Sequence, residues 1–261
     1  MSSQEHKNLS SFEDRHEDYT FFMDHSTEAE LCRRATLDRL ATWAADRDGR
    51  IRLLDFGCGS GEFLRDLLKE WGLPSTQLEL TLLDVDALAL NKAQKNLAGL
   101  CAAPPRPVRA LDQLAGETYD VILSNHALYY VEDLGEILRS LSALIAPGGT
   151  AIFTLGGKQN RLCGMWELAY SARNSELPFY LAEDVEAELE ASGVAFERAE
   201  IASNLSFEDS HENREKILRF LFGKRLADLD QEALFGFFDA WRSPNGLVMD
   251  NHDLLFQCRK S

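Results

Sequence analysis

Between residue 51 and about residue 155, apolar runs alternate with amphipathic stretches. IRLLDF (51–56) is continuously apolar and stops at glycines, which predicts a strand covered on both faces. GEFLRDLLKEW follows, with Phe63, Leu64, Leu67, Leu68 and Trp71 at helical spacing. LELTLLD (78–84) predicts the next strand, and ALALNKAQKNLAGL (87–100) a helix with a glycine near its end. A proline-rich connection, AAPPRP, precedes a short strand expected near VRAL (108–111). YDVILS (119–124) is strand-like and DLGEILRSLSALIA (133–146) helical; Pro147-Gly148-Gly149 then turns the chain into TAIFTL (150–155). Repeated β–α units predict a parallel sheet with helices on both faces.

Two segments break this rhythm. The first 45 residues contain no clear strand. HSTEAELCRRATLDRLATWA (25–44) predicts a helix entered through Thr27, with Glu30 completing a capping box and Leu37, Leu40, Ala41 and Ala44 on one apolar face. Near the other end, ENREKILRFLFGKRL (212–226) and DQEALFGFFDAWR (230–242) predict two Phe-rich amphipathic helices. Between these segments lie a helix, AEDVEAELEASG (182–193), and a strand, VAFERAEIAS (194–203), and DLLFQCR (253–259) predicts a closing strand. The expected organisation is a helical lid (1–45), an α/β core (46–206 with 247–261) and a helical substrate cover (207–246).

Composition narrows the partners. The 261 residues are 45% hydrophobic and carry 43 acidic against 27 basic side chains, a net charge of −16. This argues against nucleic acid and anionic membrane and leaves a small-molecule substrate. Cysteines stand at 32, 58, 101, 163 and 258, an odd, widely spaced set with no C-x-x-C, so neither a disulfide framework nor a zinc site is expected. The N-terminus is too polar for a signal peptide, and no apolar run reaches membrane-span length. The expectation is a cytoplasmic protein, monomeric by default, without a metal.

The chemistry begins at LLDFGCGSGEF, where Asp55, Gly57, Gly59 and Gly61 stand at a strand-to-helix junction. Glycines allow a sharp turn and close backbone approach by a ligand, and the helix start offers unpaired N–H groups. Asp84 closes the second strand. It either accepts hydrogen bonds from ribose hydroxyls or caps the following helix. With the YDVILSN and APGGTAIF segments, this order resembles the class I S-adenosylmethionine-dependent methyltransferases across roughly residues 51–155. The resemblance implies a Rossmann-like seven-stranded sheet whose last strand, DLLFQCR, runs antiparallel. It implies S-adenosylmethionine as cofactor, held by Asp55, Gly57, Gly59, Gly61, Asp84 and Asn125. Asp112 would contact the adenine amino group, or else belong to a helix cap.

LSNHALYYV (123–131) ends the fourth predicted strand in polar and aromatic groups. It lacks the Asn/Asp-Pro-Pro-Tyr motif of amino-methylating DNA enzymes, and no carboxylate cluster for magnesium can be assembled there. FMDHSTEAE (22–30), LYYV (128–131), the pair Trp166 and Tyr170, and Asn251 before the closing strand resemble segments of histamine N-methyltransferase. That likeness implies that Glu28 and Asn251 meet the substrate and that Tyr19, Tyr129, Tyr130, Trp166 and Tyr170 wall its pocket. His126 stands where that family has Gln, and Trp166 is partnered by Tyr, so an acceptor other than histamine is expected.

Aromatic faces stabilise a sulfonium by roughly 0.5–2 kcal/mol each. An amine attacks only when unprotonated. Glu28 could orient it and take its proton, with His126 and Asn125 as further catalytic candidates. Glu28 could equally serve only the helix dipole. His126 could bond a loop carbonyl. On an extended backbone only one of Tyr129 and Tyr130 faces the pocket. Three functions are carried forward: methyl transfer to nitrogen of a small amine or amino-acid-like molecule; cyclisation of S-adenosylmethionine to azetidine-2-carboxylate with release of methylthioadenosine; and cofactor binding without catalysis.

Overall fold

A computed structural model describes residues 16–171 and 177–260, apart from 46 and 48. The chain runs α1 (His16–His25), α2 (Glu28–Ala44), β1 (Ile51–Phe56), α3 (Glu62–Trp71), β2 (Leu78–Leu83), α4 (Ala87–Asn96), β3 (Arg106–Val108) and β4 (Tyr119–Asn125). It continues through α5 (Leu134–Leu144), β5 (Ile145–Gly156), α6 (Arg161–Ser171), α7 (Ala182–Ala191), β6 (Phe196–Phe207), α8 (His211–Phe222), α9 (Gln231–Phe237), β7 (Arg242–Ser243) and β8 (Gly246–Arg259). The sheet order is β3-β2-β1-β4-β5-β8-β6, with the two-residue β7 pairing only to β8. The first five strands along this order are parallel, as expected, and β8 runs antiparallel, as the resemblance implied for the last strand; it lies between β5 and β6.

The continuous apolar strands are explained by two buried clusters, one on each face. Successive residues point to opposite sides of a pleated strand. Leu53, Val121 and Ile152 join Leu64, Leu67 and Leu90 of α3 and α4, together with Leu40 and Trp43 of α2. Their neighbours Leu54, Ile122 and Phe153 join Leu138 and Leu141 of α5 and Val185 and Leu189 of α7.

Several details differ from expectation. β3 spans 106–108, starting ahead of VRAL and ending on its Val108; as the sheet's edge strand it tolerates Pro107, which could not donate to a central ladder. The buried face of α2 is Cys32, Thr36, Leu40 and Trp43, whereas Ala41 is exposed. The Thr27–Glu30 capping box does not form. Thr27 instead binds the edge of β6: its N–H donates to the Asn204 carbonyl at 2.9 Å, and its Oγ1 accepts from the Asn204 N–H at 3.0 Å. α1 packs on α8, where Phe22 stacks on Phe220 at 4.6 Å and Arg219 bridges to Asp18 at 2.8 Å.

Candidate active site at the carboxyl edge of the sheet

Parallel pairing brings the carboxyl ends of β1, β2 and β4 level with one another. Gly57 and Cys58 both donate backbone N–H bonds to the Leu83 carbonyl, at 2.8 and 3.1 Å, which ties the glycine loop to β2. Gly57 has φ 72°, and a Cβ there would stand 2.2 Å from the Ala127 Cβ, so this position requires glycine. Gly59 has φ 51° and open space where a Cβ would go, so a ligand can approach its backbone. Asp84 accepts from the Gly59 N–H at 2.9 Å and from the Asp86 N–H at 2.9 Å. The α4 cap is Asp86, which accepts from Leu88 and Ala89; this settles the alternatives for Asp84 against capping. Asp55 is buried beneath the loop, and burial, reinforced by Asp84, pushes its carboxyl up to about 7. Asp112 is exposed within a short turn whose cap position is Ala110, so it is not a cap. Val85 and Leu88, passed over in the sequence, are exposed apolar side chains flanking Asp84.

Past Asn125 the chain does not stay extended. His126 has φ 54°, the only positive value outside glycine among the described residues, and residues 128–130 form a 3-10 turn. His126 does not bond a loop carbonyl through its ring. Nδ1 lies 3.0 Å from the Tyr129 hydroxyl, which also accepts the Gly156 N–H at 2.5 Å. The phenol can donate to Nδ1 or accept from it; either way Nε2 faces Glu28, whose Oε1 is 3.4 Å away. Burial pushes Glu28 up to about 7, opposed by His126 and reinforced by Asp253 of β8. Asp253 is completely buried and held through Oδ1 by Asn160 at 2.8 Å; burial raises it too. A second carboxylate therefore does stand near this strand end. Tyr19 of α1 belongs to the same region: burial pushes its phenol up to about 12, with Glu62 and Glu28 adding to the rise. The Asn125 side-chain oxygen is buried without a hydrogen-bond partner among the described residues.

Tyr129, Tyr130, Trp166 and Tyr170 gather in one ring cluster, with details that differ from expectation. Because of the 3-10 turn, the strand-alternation argument does not apply to Tyr129 and Tyr130. Tyr129 is buried and hydrogen-bonded, whereas Tyr130 is half-buried. Both join a ring cluster centred on Phe179, which the sequence reading missed within an irregular connection. Trp166 lies 4.6 Å from Phe179, Tyr130 5.5 Å and Tyr170 6.0 Å, and Tyr129 meets Trp166 at 5.4 Å. The Tyr170 hydroxyl accepts from Arg225 at 2.9 Å. Trp166 Nε1 is buried without a partner among the described residues. Asn251 is not ahead of the closing strand but inside β8, fully buried; its Oδ1 accepts the first-turn N–H of Arg161, while Nδ2 has no partner among the described residues.

A seven-strand path with one antiparallel member, a glycine loop after β1 and an acid after β2 is the architecture of the class I S-adenosylmethionine-dependent methyltransferases. Residues 54–151 match a methyltransferase domain family. Over 118 residues the chain is 32% identical to a ubiquinone biosynthesis O-methyltransferase of Caulobacter, covering 43% of this chain and 46% of that protein. It is 33% identical over 140 residues to a malonyl-[acyl-carrier protein] O-methyltransferase of Pseudescherichia vulneris, covering 52% and 51%. The chain thus spans about half the length of these curated relatives. The fold is similar to magnesium protoporphyrin IX methyltransferase of Synechocystis with bound S-adenosylhomocysteine, at TM-score 0.56 and 14% identity over 98% of this chain and 97% of that one. No helix among the described residues is long and apolar enough to cross a membrane.

Proposed function

We propose that the chain transfers a methyl group from S-adenosylmethionine to a nitrogen of a small amine or amino-acid-like molecule. The observation that carries this reading is Glu28, a carboxylate only 13% exposed, set 3.4 Å from His126 beside an aromatic cluster at the mouth of β4. A buried carboxylate without a permanent cation needs a hydrogen-bond donor, and an amine supplies one.

In this reading the cofactor lies over Gly57, Gly59 and Gly61. Asp84 takes the ribose hydroxyls, Val85 and Leu88 give the purine an apolar seat, and Asp112 and Asn125 face its polar edges. The sulfonium is a cation, and the Asp84 and Asp55 carboxyl groups near the glycine loop favour it electrostatically to the extent that they carry charge. Glu28 accepts an N–H of the acceptor and holds its lone pair toward the methyl carbon, about 3–3.5 Å away in a reactive pose. As the C–S bond breaks and the C–N bond forms, S-adenosylhomocysteine leaves and the new ammonium gives its extra proton to Glu28. Tyr19, Tyr130, Trp166 and Tyr170 exclude water, and Asn251 offers its remaining N–H groups. α1, with α8 and α9, covers the site. The two curated relatives named above act on oxygen by name; a buried acceptor carboxylate suits an N–H donor at least as well.

The test is incubation with S-adenosylmethionine, alone and with a panel of amines, amino acids and phenols, followed by mass spectrometry of the adenosine products. Acceptor-dependent S-adenosylhomocysteine supports the proposal. Methylthioadenosine formed from the cofactor alone would replace it with cyclisation, and binding without either product would leave a non-catalytic binder.

A further inference from the structure

Cys32 and Asp253 have no task in the reaction just described, yet both are fully buried and both approach His126. Cys32 Sγ lies 3.8 Å from His126 Nε2 and 4.0 Å from Asp253 Oδ2, and one ligand atom from each of the three lies within 4.8 Å of the others. These separations are long for hydrogen bonds. They are close to the edges of a coordination tetrahedron. Bonds of about 2.3 Å to sulfur, about 2.0–2.1 Å to imidazole and about 2.0–2.2 Å to carboxylate place ligand atoms about 3.3–3.6 Å apart. Side-chain shifts below about half an ångström would close the set around an ion.

We infer that Cys32, His126 and Asp253 form a site for a borderline-soft divalent metal ion, with zinc the best match. A thiolate and an imidazole select zinc over magnesium or calcium, which prefer an all-oxygen shell. Two of the ligands are already oriented from outside. The Tyr129 hydroxyl holds Nδ1, so Nε2 points inward, and Asn160 holds Oδ1 of Asp253, leaving Oδ2 toward Cys32. Such outer bonds fix ligand direction in metal sites. The ligands come from α2, the end of β4 and β8, so the framework is rigid. The cysteine spacing argued against a zinc site, but spacing excludes only a local one. Here Cys32 and Asp253 are 221 residues apart.

Three protein ligands leave a fourth position open, which is the arrangement of catalytic rather than structural zinc. Glu28, against Nε2, borders that position. A metal there would hold a second donor atom of the acceptor and leave the nitrogen lone pair free for the methyl carbon; this placement rests on the functional reading above, whereas metal binding does not.

The full chain, stripped with a chelator, is titrated with zinc against a chromophoric competitor, and separately with cobalt(II) under absorption. One zinc ion per chain is expected, together with a thiolate-to-cobalt charge-transfer band in the near ultraviolet. Cys32→Ser should abolish the band, and the isosteric Asp253→Asn should lose zinc binding. Tyr129→Phe should weaken binding by about tenfold or more, as outer-shell losses do. A cobalt spectrum unchanged by Cys32→Ser, or zinc affinity equal in the native protein and Asp253→Asn, overturns the inference; the second variant decides should the first not fold. Calorimetric titration of S-adenosylmethionine on the same samples separates the two readings. Cofactor heat without metal binding sinks the metal site alone, and metal binding without cofactor heat sinks the functional proposal alone.

Discussion

An added methyl group at Gly57 would stand 2.2 Å from the Ala127 Cβ, in a backbone conformation that side chains rarely adopt. Gly57→Ala should therefore destabilise the chain by about 1–3 kcal/mol in urea unfolding, and cofactor heat should vanish from calorimetry because the loop must move. Tyr129 offers a milder probe. Tyr129→Phe leaves the buried Gly156 N–H without its acceptor, which should cost about 1–3 kcal/mol in the same assay while the far-ultraviolet spectrum stays native. At this scale the sequence was readable where chemistry is local. The glycines and Asp84 declare themselves because a strand, a turn and an acid follow in order. The Glu28–His126 pair was suspected member by member but could not be assembled, and Cys32 and Asp253 carried no signal. Their meeting depends on three elements far apart in the chain.

Among elements, the most informative contact is α1 against α8. Phe22 is 3% exposed and stacked on Phe220. Phe22→Ala should cost about 3–5 kcal/mol if α1 stays docked, or less if it simply lets go. Hydrogen exchange distinguishes the two: release should speed exchange across 16–25 while β1, β2 and β4 keep their protection. The strands of the parallel half were legible because burial on both faces leaves an unbroken apolar run. β3 was placed too late because Pro107 reads as loop, although an edge strand accepts it. The first half of β8 was missed for a different reason. Leu247, Met249, Asn251 and Asp253 alternate as its buried face, and the last two are polar. A strand that lines a site with buried polar groups loses the pattern by which strands are recognised.

For the molecule as a whole, acidity has consequences beyond its net charge of −16. Asp55 is held at about 7 in the folded chain, above its ordinary value of 3.8. Between those values the folded state binds more protons than the unfolded state, so this group makes stability fall as pH rises, by at most about 1.4 kcal/mol per pH unit. Chemical unfolding from about pH 5 to pH 7 should show that decline, flattened in Asp55→Asn. Cofactor affinity should move the other way, strengthening toward alkaline pH as Asp55 ionises beside the sulfonium. Calorimetry in buffers of different ionisation enthalpy should detect proton release on binding near neutrality.

The position of β8 has a consequence in time. This strand separates β5 from β6, both of which precede it in the chain, so neither has its final neighbour until β8 slides between them. As the ribosome delivers the polypeptide, the half that carries the glycine loop can form early, while the half that carries Asn251 and Asp253 must wait. If the proposed function holds, a chain stalled before residue 246 should still take up the sulfonium nucleoside but lack the buried face that carries Asn251 and Asp253, and so should show no turnover until β8 has emerged.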